Sequence, residues 1–262
     1  MTSEEKVFIS NFLNLTSDYL KDGHRREPFE NDEMPGNGEN AASGLPLAYS
    51  IEEPEHEESY STTDSSDSFA SNDSLSEVAA EICACGACAL AATRKHAVPG
   101  EGSDKPLVMV IGEGPGADED ATGRPFVGRA GQLLDKMLTS IGLSRNENCF
   151  IANMVKCRPP GNRDPGPEEM AACFPYLERQ IRLLKPQIIL CAGRIAAQNL
   201  LKTSKAINDL HGKFAEINVG ELAIPVLPTF HPSGILRDES KKRPAWEDLK
   251  LLRSRITFPD SK

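Results

Sequence analysis

The stretch LVMVIGEGPGADEDATGRPFVGRAGQLL, residues 107–134, decides the fold of this chain. Its apolar run, 107–111, breaks off into the glycine-rich segment 112–116, a pattern typical of a buried parallel strand that ends in a loop. Glycines at such a point let the backbone approach a ligand closely. The stretch therefore predicts a binding site at a strand end, where Phe126 either stacks on a flat ligand or belongs to the core.

A dinucleotide-binding loop is the first alternative, because Gly112, Gly114 and Ala117 fit the pattern G-x-G-x-x-G/A. That loop needs a helix directly after the glycines, with a phosphate at its N-terminus. Here the acidic run 118–120 would repel phosphate, and the next helical pattern begins only at Gly128. No G-K-S/T follows either, so a phosphate-binding P-loop is excluded. We expect a different class of ligand.

Charge is distributed unevenly along the chain. Residues 1–80 carry 18 acidic and 4 basic side chains, a net charge of −14, whereas the remainder carries +4, which together give the −10 of the whole chain. The acidic composition therefore does not argue against a nucleic-acid partner for residues 81–262. The first residues lack the basic start of a signal peptide, and no run is long enough to span a membrane. With seven cysteines and no export signal, we expect a cytoplasmic protein without membrane contact.

Composition divides the chain into three segments. Residues 1–24 predict an amphipathic helix that docks on its own domain, on a second copy or on a protein partner. Residues 25–76 are rich in Ser, Glu and Asp and predict a disordered acidic linker. This linker is either a solvated tether or a polyanion mimic that folds back over a basic groove. Residues 77–262 predict the folded domain.

The folded domain alternates strand and helix patterns, which predicts an α/β class with a parallel sheet covered on both faces. In such sheets ligands bind beyond the carboxyl ends of the strands, where Glu113, Lys156 and His231 fall. The predicted strands are 107–112, 149–155, 187–192 and 224–230, with 213–219 as a short extra strand. The predicted helices are 128–143, 167–184, 194–201 and 244–255.

The cysteines indicate a metal centre. Cys85 and Cys88 form a C-x-x-C pair, whose turn lets two thiolates reach one centre. Cys157 and Cys173 would complete a four-thiolate set, and their wide spacing favours an iron–sulfur cluster over zinc. Cys83 lies close enough to replace Cys85 as a ligand.

Two polar residues sit where a flat ligand would bind. Asn153 lies in an apolar strand pattern, where a buried amide either meets a structural partner or reads the edge of a pyrimidine. His231 follows a strand, and Pro232 turns the chain so that the imidazole can face a ligand. Both side chains are therefore candidates for the same site.

Four motifs occur in order: GEGPG and GRPFVG at 112–128, NMVKCRPP at 153–160 and HPS at 231–233. With the upstream C-x-x-C and a further cysteine, the chain resembles the family 4 uracil-DNA glycosylases, the iron–sulfur members of that superfamily, over residues 83–256. The resemblance implies a three-layer α/β/α sandwich with a central four-stranded parallel sheet. It also implies excision of uracil from DNA and a structural 4Fe-4S cluster, the latter bound by Cys85, Cys88, Cys157 and Cys173.

The resemblance also assigns roles to the pocket residues. Phe126 would stack on the base, Asn153 would read its edge and His231 would donate to O2. Better-known relatives carry an Asp for water activation at the position of Gly114, so that role passes to Glu119 first and Glu113 second. The uracil pocket would be lined by Glu113, Gly114, Pro115, Phe126, Asn153 and His231.

DNA is the expected partner, single- or double-stranded, for a protein expected to be a monomer. The phosphate contacts would come from Lys156, Arg158, Arg163, Ser233 and Arg237. Ile235 and Leu236 would wedge into the duplex where the base has left. The alternatives are a damaged-DNA binder that has lost turnover and an iron–sulfur oxidoreductase. The absence of an obvious lysine nucleophile argues against strand cleavage.

Overall fold

The computed structural model describes residues 73–259. The predicted helix at 1–24 and the predicted linker up to residue 72 lie outside the described residues. The described part contains the strands β1 Glu101–Gly102, β2 Val108–Gly112, β3 Cys149–Asn153, β4 Ile188–Ala192, β5 Ala215–Val219 and β6 Leu222–Thr229. Its α-helices are α1 Leu75–Ala84, α2 Ala117–Thr122, α3 Arg129–Thr139, α4 Pro167–Leu184, α5 Arg194–Leu200, α6 Ile207–Leu210, α7 Pro232–Arg237 and α8 Lys242–Arg255.

The strands form one sheet in the order β1-β3-β2-β4-β6-β5. The four inner strands β3, β2, β4 and β6 are parallel, whereas β1 and β5 pair antiparallel at the two edges. All residues of β2, β3 and β4 are buried, as expected when helices cover both faces. The predicted central sheet of four parallel strands is therefore confirmed, and two antiparallel edge strands extend it.

Alternate residues of each strand face opposite helical layers. Val108 and Val110 pack in a core with apolar side chains of α3, α7 and α8. Met109 and Ile111, on the other face of β2, pack with side chains of α4 and α5. The fold is a three-layer α/β/α sandwich, as the resemblance implies.

Four of these helices, α1, α2, α6 and α7, are not among the predicted ones. Helix α1 begins at Leu75, inside the segment predicted as linker, because the Ser74 hydroxyl accepts a hydrogen bond from the Glu77 N–H at 3.2 Å and caps the helix. Helix α2 begins directly after Gly116, so the expectation that no helix follows the glycines is wrong. Its first turn is nevertheless acidic, which still argues against a dinucleotide phosphate at this point. No helix of the described part is both long and apolar enough to cross a bilayer.

Candidate active site

The carboxyl ends of three parallel strands meet at one cavity. Glu113 follows β2, Asn153 ends β3 and His231 lies just after β6. Gly112 and Asn153 are register partners in neighbouring strands, which brings the first two of these ends side by side. The cavity has a volume of about 510 Å³, and its lining includes all six residues predicted for the pocket.

Phe126 forms a wall of this cavity. Its ring centroid lies 5.6 Å from that of His231, with an angle of 32° between the ring planes. The edge of the ring meets Gly112 so closely that a Cβ at this glycine would lie 2.6 Å from the ring and would overlap the Asn153 amide. Gly112 therefore leaves room for the Asn153 amide and the Phe126 ring to share one end of the slot. Phe126 itself has φ of +51°, a left-handed conformation that is costly for a bulky residue.

The hydrogen bonds of His231 fix its tautomer. The Ser233 backbone N–H donates to Nδ1 at 3.1 Å, and the Ser233 hydroxyl lies 2.7 Å from the same nitrogen. Nδ1 is therefore an acceptor, and the proton of the neutral ring lies on Nε2. Burial, with a smaller contribution from the Arg237 charge, lowers the pKa of His231 to about 4. At neutral pH the site contains an uncharged imidazole with one N–H to donate.

Asn153 is 2% exposed and lines the cavity. Its Oδ1 has no hydrogen-bond partner in the described part of the chain. Buried polar atoms are almost always hydrogen-bonded in folded proteins. An acceptor without a protein partner on a cavity wall is open to a hydrogen-bond donor inside the cavity, from a ligand or from water.

The two candidate carboxylates have different surroundings. Both oxygens of Glu119 are occupied, because Oε2 accepts from the Gly116 N–H and Oε1 accepts from the N–H groups of Val127 and Gly128, each at 3.0 Å. Glu119 thus joins the glycine loop to the start of α3. Within residues 73–259 no hydrogen bond to the Glu113 carboxylate occurs, and burial raises its pKa, as does the nearby Asp164 charge. The hydrogen bonds of Glu119 therefore favour Glu113 as the carboxylate with free acceptor oxygens, whereas the predicted order placed Glu119 first.

Two residues predicted to contact DNA lie in the interior, so these predictions are wrong. Lys156 is 1% exposed, and its Nζ donates to the Asn153 carbonyl at 3.0 Å and to Gln180 Oε1 at 2.7 Å. Ile235 is 2% exposed because it lies on the face of α7 that packs in the core. Neither side chain can reach a phosphate or enter a duplex.

The other residues predicted to contact DNA lie nearer the surface, and they differ in the contacts that they already make. Ser233 contacts His231, as described above. Arg163 makes a two-pronged pair with Glu169 at 2.8 and 2.6 Å, so its guanidinium is already engaged. Arg237 is exposed at the cavity, and Leu236 beside it is half-buried. Arg158 is half-buried and donates at 2.8 Å to Oδ1 of Asn162, a residue that lines the cavity.

Sequence reasoning missed several cavity residues. Arg194 begins α5 directly after β4, lines the cavity and pairs with Asp164, another lining residue. The signal was present, because Arg194 follows a predicted strand end just as Glu113 and His231 do. The lining also includes Asn162, Phe230 and Lys241, which we had not predicted as site residues.

A second, smaller cavity is lined by the four predicted cluster ligands Cys85, Cys88, Cys157 and Cys173. The C-x-x-C pair lies between α1 and the following turn, whereas the other two thiols come from the segment after β3 and from α4. Cys83 is exposed and does not line this cavity, which favours Cys85 as the ligand.

The sulfur environment fits thiolate ligands. The Arg94 guanidinium donates to Cys157 Sγ at 3.0 Å, and the Lys156 N–H donates to Cys173 Sγ at 3.2 Å. Within the described residues no three ligating side chains converge tightly enough for a single metal ion. Four thiols that line one cavity are the donor set that an iron–sulfur cluster requires, so the residues present fit such a group.

Comparisons with known proteins agree with this geometry. Residues 99–250 match the uracil DNA glycosylase superfamily. A type-4 uracil-DNA glycosylase of Saccharolobus solfataricus is 43% identical over 71% of this chain and 88% of its own length. One from Thermotoga maritima is 42% identical over 70% of this chain and 95% of its own. A type-5 enzyme of Thermus thermophilus is 36% identical over 40% of this chain and 53% of its own. The chain therefore belongs to the uracil DNA glycosylase superfamily, within its type-4 family.

Proposed function

We propose that this protein is a uracil-DNA glycosylase, which hydrolyses the N-glycosidic bond of a deoxyuridine flipped out of DNA and leaves an abasic site. The names of its type-4 relatives support this activity. The chemistry requires a slot for a flat base, groups that read its edge and a donor for the charge on the departing uracil. The cavity at the strand ends offers a residue for each requirement.

The orphaned Oδ1 of Asn153 is the observation that carries the proposal. An unpaired buried acceptor costs about 1–3 kcal/mol, which a ligand donor can recover. Uracil presents N3–H beside O4, so the amide oxygen of Asn153 would accept from N3–H while its NH₂ group donates to O4. Cytosine lacks the N3 hydrogen and presents an amino group instead, so it would leave the amide unpaired in a dry slot.

Phe126 supplies the stacking surface. Extruding a base costs a few kcal/mol, least at a mispaired uracil, and stacking on an aromatic ring returns about 1–3 kcal/mol. Phe126 is buried beside Asn153, so a base on its face would also meet the amide. Stacking and edge reading would then act on the same base.

His231 would stabilise the leaving group. Cleavage of the glycosidic bond places negative charge on uracil O2, and a positioned N–H donor there is worth most in the transition state. The imidazole is neutral at physiological pH because burial lowers its pKa to about 4. It would therefore donate a hydrogen bond from Nε2 while keeping its proton.

Glu113 would position the attacking water and face the positive charge that develops on the sugar. Replacing Glu113 with glutamine should lower the single-turnover rate by about a hundredfold, the lower limit of the usual contribution of a general base. Because the pKa of Glu113 is raised, the wild-type rate should fall as acidification protonates it, at a higher pH than for an ordinary carboxyl. In the Glu113→Gln variant this fall in rate, the acidic limb of the pH profile, should shift to lower pH, toward the pH at which His231 is protonated. Single-turnover pH profiles test both effects.

Glu119→Gln is the matched control for Glu113→Gln. A glutamine has one acceptor oxygen, so it cannot hold all three N–H groups that Glu119 holds now. We expect it to lower the melting temperature and to leave the position of the acidic limb unchanged. A wild-type pH profile for Glu113→Gln, together with a shifted one for Glu119→Gln, would contradict the assignment.

The cavity lined by four thiols, together with the resemblance of the sequence to the iron–sulfur glycosylases, supports a 4Fe-4S cluster held by Cys85, Cys88, Cys157 and Cys173. When bound, the cluster would supply structural cross-links rather than chemistry at the base. It would tie the segment after α1 to the end of β3 and to α4. Lys156 links the two sites: its backbone N–H donates to Cys173 Sγ, and its Nζ donates to the backbone carbonyl of Asn153.

Cys85→Ser should remove the iron and the visible absorption of the purified protein and lower its melting temperature, because a structural metal centre contributes folding free energy. Cys83→Ser, two residues away at an exposed position, should retain both the iron and the absorption. Iron analysis and absorption spectra of the two variants distinguish the thiols. Iron loss in Cys83→Ser alone would show that Cys83 is the ligand.

Uracil-containing DNA would approach three guanidinium groups, two that line the cavity and one beside it. Arg194 and Arg237 line the cavity, and Arg158 lies beside it through Asn162. These groups would contact phosphates, with Leu236 as the remaining candidate wedge. A monomeric, cytoplasmic enzyme without strand-cleaving activity remains our proposal.

The direct test incubates the purified full chain, in excess, with an oligonucleotide that carries one uracil. Alkali then cleaves any abasic site, and a gel resolves the product. We expect cleavage at uracil and none at cytosine or thymine in the same position. Tight binding without a product would instead indicate a damaged-DNA binder and contradict the proposed activity.

A further inference from the structure

The backbone of Phe126 needs an external restraint. With φ of +51° this residue lies in the left-handed region, which bulky side chains rarely adopt. Its carbonyl presses against Gly131 of α3, where any Cβ would overlap it. The stacking ring is therefore carried on a peptide that would relax to another conformation unless its surroundings hold it.

Arg145 provides that restraint from outside the cavity. Its guanidinium donates to the Phe126 carbonyl at 2.8 Å and to the Pro125 carbonyl at 2.9 Å. The same group pairs with Glu101 of β1 at 2.6 Å and with Asp135 of α3 at 2.8 Å. Two carboxylates thus orient the guanidinium so that it holds two successive carbonyls.

The side chain of Arg145 is 10% exposed and does not line the cavity, so it touches neither base nor DNA in the slot. Among residues 73–259, its most direct contact with the cavity wall is with the 125–126 backbone, since Phe126 lines the cavity. Few other side chains have this geometry, because only a planar fork with five donors satisfies two carbonyls and two carboxylates at once.

From these contacts we infer that Arg145 is a positioning residue for catalysis, which holds Phe126 in the backbone conformation that places its ring against the flipped base. This inference rests on the proposed function, because it needs Phe126 to stack on uracil. Arg145 acts through Phe126 alone, so its contribution disappears when the ring is absent.

A double-mutant cycle on single-turnover uracil release by the full chain tests the inference. Arg145→Met should slow uracil release about tenfold, because it removes part of the stabilisation that stacking on Phe126 provides. DNA binding and the absorption of the cluster should stay near wild type. Phe126→Ala should slow release by at least as much. Adding Arg145→Met to Phe126→Ala should cause no further loss, since the group that Arg145 positions is gone.

Arg124→Met is the matched control, because Arg124 pairs with the same Glu101 but does not contact the Phe126 carbonyl. It should release uracil at the wild-type rate. Arg145→Lys provides the second variant in case the methionine destabilises the fold: its ammonium keeps an ion pair but cannot span both carbonyls, so it should also slow release only when Phe126 is present.

The outcomes separate the two ideas. An equal slowing by Arg145 variants with and without Phe126, or no slowing at all, would overturn the Arg145 inference and leave the proposed function standing. A wild-type protein that releases no uracil, or a Phe126→Ala variant with the wild-type rate, would overturn the stacking proposal and the inference with it.

Discussion

Replacing His231 with alanine should lower the single-turnover rate of uracil release by about 100- to 1,000-fold, the usual cost of removing one donor from a site of developing negative charge. The affinity for uracil-containing DNA should change little. The reason is that the hydrogen bond from Nε2 to uracil O2 strengthens only as the glycosidic bond breaks. Alanine leaves the Ser233 N–H without its present acceptor but removes no phosphate contact.

The rate and the affinity should be measured separately, with excess enzyme for the first and a binding titration for the second. His96→Ala is the control, since His96 is exposed and lies outside the cavity, and its ring bonds to the Asp120 carbonyl within the described part of the chain. It should keep the wild-type rate. A His231→Ala variant that binds poorly but reacts at full speed once bound would assign His231 to binding instead of catalysis.

The layered fold could be predicted from the sequence because the buried strands are short, continuous apolar runs. The runs at 108–112 and 188–192 contain no polar side chain, a pattern typical of parallel strands in a sheet that is covered on both faces. The long helix α4 was predicted over its full extent, 167–184, because a proline starts it and its apolar residues repeat at helical spacing. The two-residue strand β1 leaves no periodic signal, so it could not be found.

The placement of Glu113, Lys156 and His231 at one edge of the sheet followed from one rule, that parallel strands present their carboxyl ends at the same edge. The rule places a residue at an edge without saying where its side chain turns. Lys156 follows β3 as expected, yet its ammonium turns inward to the Asn153 carbonyl and Gln180. Ile235 likewise faces the core, because α7 turns this position toward the sheet.

Glu119 and Arg145 show a second limit of sequence reasoning. In sequence Glu119 belongs to an acidic run that looks solvated, but its carboxylate accepts from N–H groups eight and nine residues further on. Arg145 lies in an ordinary loop pattern and reaches Phe126, nineteen residues earlier. Contacts between loops depend on the path of the backbone, which periodicity does not describe.

Asn153→Asp should lower the preference for uracil over cytosine by about a hundredfold to ten-thousandfold, since two polar contacts of about 1–3 kcal/mol each are exchanged. Asparagine offers an acceptor for uracil N3–H and a donor for O4. The buried aspartic acid, kept protonated by its apolar surroundings, would instead offer a hydroxyl donor to cytosine N3 and a carbonyl to its amino group. Uracil release should slow, and cytosine release should become measurable.

Asn162→Asp separates this exchange from a simple change of charge in the cavity. Asn162 lines the same cavity, and its Oδ1 accepts from Arg158, a contact that an aspartate keeps. Its uracil-to-cytosine ratio, measured on matched oligonucleotides under single-turnover conditions, should equal that of the wild type. An equal loss of preference in both variants would mean that charge, and not the edge read by Asn153, sets the specificity. Because Asn153 Oδ1 is a buried acceptor with no partner among residues 73–259, we expect Asn153→Asp, and not Asn162→Asp, to change which base leaves.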